Sequence, residues 1–305
     1  MTRRAMRRTH AARGAESATG EGAPADAAGT GTLFVVATPI GNLEDVTLRV
    51  LAALREADVV LCEDTRRTQV LLDRYEIRAR QLVSVHRHNE ARRVHQLLPG
   101  LEAGETHALV SDAGLPGVND PGGRLLRAVL GAGIEVTVLP GPSAVETALV
   151  ASGLGGGEYR FLGYLPRGAA ELGRLWEDSR GWPYAAVAFD SPRRLSASLA
   201  SLAEVDPGRP VAVCRELTKR YEEVARGTAA ELATRFAEPV KGEVTVVVGA
   251  GAQLPSDLGT AEAAVAELVL AGAARSAAVD VVSRLVDVPR NALYRRSLAA
   301  PRPPD

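Results

Sequence analysis

Three times in the first half of this chain a short apolar run ends in a turn dense in glycine and proline. Leu33-Phe-Val-Val-Ala37 runs into Thr38-Pro-Ile-Gly-Asn42, His107-Ala-Leu-Val110 into Ser111-Asp-Ala-Gly-Leu-Pro-Gly-Val-Asn-Asp-Pro-Gly-Gly123, and Glu135-Val-Thr-Val-Leu139 into Pro140-Gly-Pro-Ser-Ala144. The second and third lead directly into segments with the apolar spacing of amphipathic helices, Arg124 to Leu130 and Ser143 to Ala151. Each turn therefore sits at the carboxyl end of a strand. In open α/β sheets ligands bind outside those ends, and glycine and proline allow backbone to approach a ligand closely. Three such turns imply one crevice.

The same grammar extends along residues 31 to about 152. Strand patterns at Leu33–Ala37, Val59–Cys62, Gln81–Val85, Ala108–Val110 and Val136–Leu139 alternate with helical patterns at Thr47–Ala57, Thr68–Tyr75, Ala91–Leu98, Arg124–Leu130 and Ser143–Ala151. That cadence predicts a parallel sheet with crossover helices. Gly153-Leu-Gly-Gly-Gly157 reads as a hinge to a second α/β domain over residues 158–250. Its strand patterns are Tyr159–Leu162, Ala185–Phe189, Val211–Cys214 and Val244–Val248, and its helical patterns Ala169–Ser179, Arg193–Ala203 and Thr228–Phe236. Residues 258–300 form a small Ala-rich module of three helices, Ala261–Leu270, Ser276–Leu285 and Arg290–Leu298. It reads as a packing or dimerisation element, with a helix-turn-helix reader of nucleic acid as the alternative.

Residues 1–30 mix arginines with Ala, Gly and a few acids, lack the apolar core of a secretory signal, and read as a disordered tail. No apolar run approaches the roughly 20 residues that cross a bilayer, so no membrane partner is expected. Cys62 and Cys214 stand far apart without metal-ligand spacing, as buried thiols of a reducing, cytoplasmic compartment would. A net charge of −1 excludes indiscriminate coating of nucleic acid, but leaves room for a local basic face. Among 36 Lys plus Arg, only Lys219 and Lys241 are lysines. Arginine cannot replace a lysine that must lose a proton, which singles out Lys219 as well as chance does.

Neither G-x-G-x-x-G nor G-x-x-x-x-G-K-[ST] occurs. Gly141-Pro-Ser143 is half of a nucleophile elbow without its second glycine, so Ser143 reads as a ligand contact at a helix start. Cys62-Glu-Asp-Thr-Arg66 crowds two carboxylates and a guanidinium into one turn facing the expected crevice; the plainer reading is a helix cap with a local ion pair. His86-Arg-His88-Asn89-Glu90 lacks the further ligands of a metal site and reads as polar contact with a substrate. No metal is expected.

Taken in order, Val35-Val-Ala-Thr-Pro-Ile-Gly-Asn42, Glu63-Asp-Thr-Arg66, His86-Arg-His-Asn-Glu90, Ser111-Asp-Ala-Gly114 through Asp120-Pro-Gly122, Leu139-Pro-Gly-Pro-Ser-Ala144, Phe161-Leu-Gly-Tyr-Leu-Pro-Arg167 and Arg215-Glu-Leu-Thr-Lys219 resemble the ribosomal RNA small subunit methyltransferase I family of the tetrapyrrole methylase superfamily. The likeness spans about residues 31 to 300 and departs from the family pattern at Leu115, Arg87 and Phe189-Asp190. It implies a class III methyltransferase: two α/β domains with an S-adenosylmethionine cleft between them, plus the helical module. It implies transfer of methyl to the ribose 2′-oxygen of a decoding-region cytidine, with 16S rRNA or the small ribosomal subunit as partner and a homodimer as the acting form.

Carried over by position, the resemblance implies cofactor contacts at Thr38, Pro39, Gly41, Asn42, Asp112, Ala113, Gly114, Pro116, Val118, Pro142, Ser143 and Ala144, with Phe189 and Asp190 approaching from the second domain. Arg67, His86, His88, Asn89, Glu90 and Arg215 are the expected substrate contacts. A ribose hydroxyl is a weak nucleophile, so Asp64 or Lys219 is expected to assist its deprotonation and Arg66 to grip a phosphate. Two rivals stand beside this reading: a methyltransferase of a tetrapyrrole or other small molecule, and an RNA-binding protein that keeps the cleft without the chemistry.

Overall fold

The computed structural model describes residues 31–251 and 258–298. The expected tail over residues 1–30 and the last two residues of the expected terminal module lie outside the described residues.

The first sheet holds β1 (Thr32–Val36), β2 (Val59–Cys62), β3 (Leu82–Ser84), β4 (Thr106–Val110) and β5 (Glu135–Leu139), in the order β3-β2-β4-β1-β5, and every pairing is parallel. The crossovers are α1 (Leu48–Glu56), α2 (Thr65–Arg74), α3 (Glu90–Glu102) and α4 (Gly123–Gly131). On one face Leu54 and Leu72 from α1 and α2 meet Val36, Val60 and Val110; on the other, Leu101, Leu125 and Val129 from α3 and α4 meet Leu33, Leu61 and Leu109. Cover on both faces is why β2 is apolar at every position and wholly buried. Each fully buried leucine here contributes roughly 1.5–3 kcal/mol.

Helix α3 runs a turn beyond the expected end at Leu98, through Pro99 to Glu102. Proline removes one N–H from the helix ladder. Leu101, without solvent exposure in the core, anchors the extra turn against α4.

The second sheet holds β6 (Tyr159–Tyr164), β7 (Ala185–Asp190), β8 (Pro210–Arg215), β9 (Glu223–Thr228) and β10 (Val244–Val248), in the order β6-β7-β10-β8-β9. Only β6 and β7 pair in parallel; the other three pairings are antiparallel. Strand β9 had no sequence signal: Glu-Val-Ala-Arg-Gly-Thr is polar and only Ala225 is buried. It forms because β8 supplies a six-residue antiparallel register and Arg215 pairs with Glu223 across it. Helices α6 (Ala169–Ser179), α7 (Leu195–Val205) and α8 (Ala229–Arg235) cover one face with Trp176, Leu199, Leu202 and Leu232.

The other face is covered by α5 (Ala144–Ser152), which the sequence cadence groups with the first domain. Val145, Ala148 and Leu149 lie with Val187, Ala212, Cys214 and Val247 in a single cluster. In packing terms the chain changes domain at Pro140–Ser143, before the glycine-rich stretch, and Gly153 serves as the left-handed residue that ends α5. Both cysteines are free and buried; burial pushes the Cys214 thiol up to about 11. Helices α9 (Leu258–Leu270), α10 (Arg275–Leu285) and α11 (Arg290–Ser297) enclose their own small core of Ala261, Val265, Val279, Val282 and Leu293. Among the described residues no helix is long and apolar enough to cross a membrane.

Candidate active site

The three Gly/Pro turns converge. Thr38 and Gly114 exchange backbone hydrogen bonds of 2.9 and 3.0 Å, and the Thr38 hydroxyl donates to the Ser111 carbonyl at 3.0 Å, so the first turn is stitched to the second. The third turn lies so close to the first that a Cβ on Gly141 would stand 3.0 Å from that of Ala37. The Ser111 hydroxyl donates to the Gly114 carbonyl at 2.9 Å and holds the second turn closed. Between these turns and the second sheet lies a cavity of about 880 Å³.

Of the expected cofactor contacts, Asp112, Ala113, Gly114, Val118, Pro142, Ser143, Ala144, Phe189 and Asp190 line this cavity. Thr38, Pro39 and Gly41 line a smaller adjoining recess of about 220 Å³ that shares Ile40, Arg67, Asp112 and Ala113 with it. Asn42 and Pro116 line neither. Asn42 instead caps the turn after it, its side chain accepting from the Glu44 N–H at 3.1 Å, while its own N–H donates to the Thr218 hydroxyl at 2.9 Å.

The second domain supplies an aromatic wall and one acid. Phe189 meets Phe161 and Tyr164 edge-on at 5.1 and 5.5 Å. The Asp190 side chain has no solvent exposure; its Oδ1 accepts from the Ser191 N–H at 2.8 Å and Arg194 at 3.0 Å, while its Oδ2 has no partner. A buried carboxylate oxygen without a donor costs free energy unless something supplies one. At the start of α5 the Ser143 side chain does not cap the first-turn N–H groups and bonds to Glu146, whose other oxygen accepts from the Tyr159 hydroxyl at 2.6 Å. An orphan acceptor, an uncapped helix start and an apolar wall suit a ligand that carries amines, a carboxylate and a flat ring. S-adenosylmethionine has all three.

The expected catalytic residues are placed differently. Asp64 caps α2 and is held by Arg66 through the backbone N–H at 2.9 Å and the guanidinium at 3.2 and 3.3 Å, which keeps its carboxyl below the ordinary aspartate range. It lines neither cavity, so the base role expected of it does not fit, and the plainer reading of that turn is what the chain builds. Arg66, almost fully exposed beside the mouth, is accessible to a phosphate. Lys219 donates to Glu216 and Glu243, each at 2.9 Å. Partial burial works against its charge, but the two carboxylates outweigh it and hold the ammonium above the ordinary lysine range, which works against the base role expected of Lys219. Both carboxylates lie in its own domain, so Lys219 braces the segment on which the first turn rests. A Cβ on Gly41 would meet Lys219 Cγ at 2.5 Å and the Leu217 carbonyl and Thr218 hydroxyl at 2.8 Å, so only glycine lets the first turn rest on this segment. Glu216 and Thr218 take left-handed backbone, φ 52° and 64°, a costly conformation for β-branched threonine.

Among the expected substrate contacts only Arg67 reaches the cavity, pairing with Asp112 at 3.2 Å and with Glu243 of the second domain at 3.7 Å. Glu90 is corrected: it is buried, and its Oε1 accepts from the N–H groups of Gly122, Arg124 and Leu125 at 2.7–3.2 Å, capping α4 from a neighbouring helix. Asn89 bonds the His86 N–H and the Ser84 carbonyl. His86 meets exposed His88 edge-on at 6.0 Å, and its Nδ1 is buried without a partner. Arg215 spends its guanidinium on Glu223, at 2.7 and 2.9 Å, and on the Lys241 carbonyl, so it too is structural. Among the described residues no group of His, Cys, Asp and Glu is arranged to hold a metal.

The cavity lining also includes polar residues outside the expected contacts, among them Glu63, Arg87, Asp120 and Tyr164. Burial first, then Asp112, raises the Glu63 carboxyl, and burial, then Glu63 and Asp112, raises Asp120 to about 6. Both residues stand in motifs quoted above, but nothing in the string says that residues 57 positions apart face each other.

The chain belongs to the tetrapyrrole methylase family: residues 32–233 match the family model described as Tetrapyrrole (Corrin/Porphyrin) Methylases. It is an S-adenosylmethionine-dependent methyltransferase. Its curated relatives named Ribosomal RNA small subunit methyltransferase I include one from Micromonospora olivasterospora, 44% identical over 276 residues, 89% of this chain and 88% of that one. Another, from Streptococcus pyogenes serotype M1, is 39% identical over 273 residues, 88% and 94% of the two chains. Among solved structures, the methyltransferase CobJ superposes with a TM-score of 0.57 at 23% identity, over 73% of this chain and 95% of its own, a likeness of fold alone.

Proposed function

We propose that this chain transfers a methyl group from S-adenosylmethionine to the ribose 2′-oxygen of a cytidine in the decoding region of 16S rRNA. The cleft carries the reading, in particular the unpartnered Asp190 oxygen inside a cavity that also opens past exposed Arg66, Arg67 and Arg87. The likeness along nine-tenths of the chain to relatives named for small-subunit rRNA supports the choice of substrate. When bound, S-adenosylmethionine supplies a methyl group activated by a positively charged sulfur.

The chain's own residues do the rest by position. The Thr38–Asn42, Asp112–Val118 and Pro142–Ala144 turns offer main-chain donors and acceptors, Asp190 accepts from an amine or hydroxyl, and Phe161, Phe189 and Tyr164 keep water from that wall. Holding two reactants in line contributes several kcal/mol, up to roughly 7–11 in the best-oriented cases. The arginines outside the mouth meet the phosphates, an attraction that weakens steeply with salt. The homodimer and the cytoplasmic site of action remain part of this proposal, the latter supported by two buried free thiols.

Mass spectrometry of 16S rRNA from cells lacking the gene tests it: one ribose methyl on one cytidine disappears and returns with a plasmid copy. Unchanged rRNA beside an altered tetrapyrrole pool would instead favour a small-molecule substrate.

A further inference from the structure

Beside the large cavity, the first turn and helix α2 enclose the recess of about 220 Å³, and its walls are of two kinds. Pro39, Ile40, Leu43 and Val70 make most of it apolar, with Val70 left 58% exposed on the outer side of α2. Arg67 and Asp112 stand where the recess joins the cofactor cavity, since each lines both spaces. The volume suits one nucleoside and is too small for a tetrapyrrole macrocycle. An apolar slot with a few polar groups at one end holds a flat ring by its edge.

The guanidinium of Arg67 is held by one corner. Its Nη1 donates to Asp112 at 3.2 Å, and Asp112 in turn accepts from the Asp64 N–H at 3.1 Å, so the head group is fixed between two loops. Glu243 stands 3.7 Å from Nη2, near enough to attract the charge but too far for a hydrogen bond. Among the described residues no hydrogen bond engages Nε or Nη2, the two groups that donate side by side along one edge of a guanidinium. Such an edge asks for two adjacent acceptors. Of the two pyrimidines of RNA only cytosine offers them, at N3 and O2, because uracil carries a hydrogen on N3.

We propose that this recess seats the target cytosine, turned out of its stack, with the Nε–Nη2 edge of Arg67 donating to N3 and O2; the proposal rests on the ribose-methylation reading above. Arg67 borders both spaces, so a base held there places its ribose at the boundary facing the methyl donor, where the 2′-oxygen must lie to react. Taking a nucleotide out of its stack costs free energy, which the apolar walls and the paired hydrogen bonds offset. Arg66, exposed beside the mouth, is left for the neighbouring phosphate.

The test is single-turnover methylation of small ribosomal subunits from a strain lacking the gene, carrying either cytidine or uridine at the target position, with S-adenosylmethionine affinity measured by calorimetry. The parent protein is expected to methylate the cytidine subunit about tenfold faster or more, the ordinary worth of a bidentate base contact. Arg67→Lys keeps the charge and loses the paired edge, so the ratio falls to within about threefold of one while cofactor affinity stays within about twofold. An arginine that only held a phosphate leaves the ratio where it was. Val70→Trp fills the slot from a position already open to solvent, and the cytidine rate is expected to fall roughly 100-fold at unchanged cofactor affinity. Gln69→Trp, next to it on α2 but lining neither space, keeps the parent rate. Equal parent rates on the two subunits, a preserved ratio in Arg67→Lys, full activity in Val70→Trp, or equal damage from Gln69→Trp overturns the proposal. Loss of cofactor affinity in Val70→Trp gives the recess to the methyl donor and overturns it too. A parent protein that binds cofactor and methylates neither subunit overturns the ribose-methylation reading itself, and the cytosine seat with it.

Discussion

The two domains meet the same cavity by different means. In the first, every strand runs the same way, so all the loops that follow strands β1, β4 and β5 emerge on one edge and pack backbone to backbone. In the second, three of four pairings are antiparallel, so strand ends alternate and fewer loops reach that edge. It contributes side chains instead: the Phe189-Asp190 end of β7, Tyr164 at the end of β6, and the clasp at Glu216–Lys219. The first domain's share of the site is main chain shaped by glycine and proline, which sequence displays, whereas the second's is individual side chains, which it does not.

If the first domain works through backbone, the severest damage comes from an acid that touches only backbone. Glu90→Ala leaves buried N–H groups of the 122–125 segment without an acceptor and is expected to cost about 3 kcal/mol in denaturant unfolding. A cost under 1 kcal/mol would mean that water replaces the carboxylate. Next comes the contact between domains: Gly41→Val drives a side chain into Leu217 and Thr218 and is expected to weaken S-adenosylmethionine binding at least tenfold, about 1.4 kcal/mol. Normal affinity in calorimetry would show that the clasp is dispensable to the cleft. In the second domain, Asp190→Asn keeps the Oδ1 contacts and puts a donor where the unpartnered acceptor stood, for an expected loss of about fivefold in affinity, near 1 kcal/mol. An unaltered Kd would separate that oxygen from the ligand.

The smallest effect sharpens the comparison most. Lys219→Arg keeps a positive charge between Glu216 and Glu243, and turnover within about threefold, with an unmoved pH profile, is the expectation for a group that only braces its own segment. Loss of all activity would restore the lysine as a proton acceptor.

The fold was legible because burial leaves periodic marks. Strands β1 to β5, with their crossovers, read off apolar runs and Gly/Pro turns because a sheet covered on both faces must be apolar throughout. Strand β9 was invisible, since an edge strand held by register and by the Arg215–Glu223 pair needs almost no apolar side chain. Helix α5 was seen but assigned to the wrong neighbour: its apolar faces announce burial without saying in which core.

The site divides the same way. That three turns form one crevice, and that the chain binds its ligand without a glycine-rich nucleotide loop, followed from the string alone, because glycine and proline restrict or release the backbone wherever they occur. Which charges remain free in that crevice was decided only by folding. Asp64 and Lys219 look as reactive in sequence as Glu63 and Asp120, but Asp64 is held by Arg66 within its own turn and Lys219 by Glu216 and the distant Glu243, whereas folding brings Glu63 and Asp120 together in a partly buried place. A proton's affinity depends on neighbours in space, and sequence orders neighbours only along the chain.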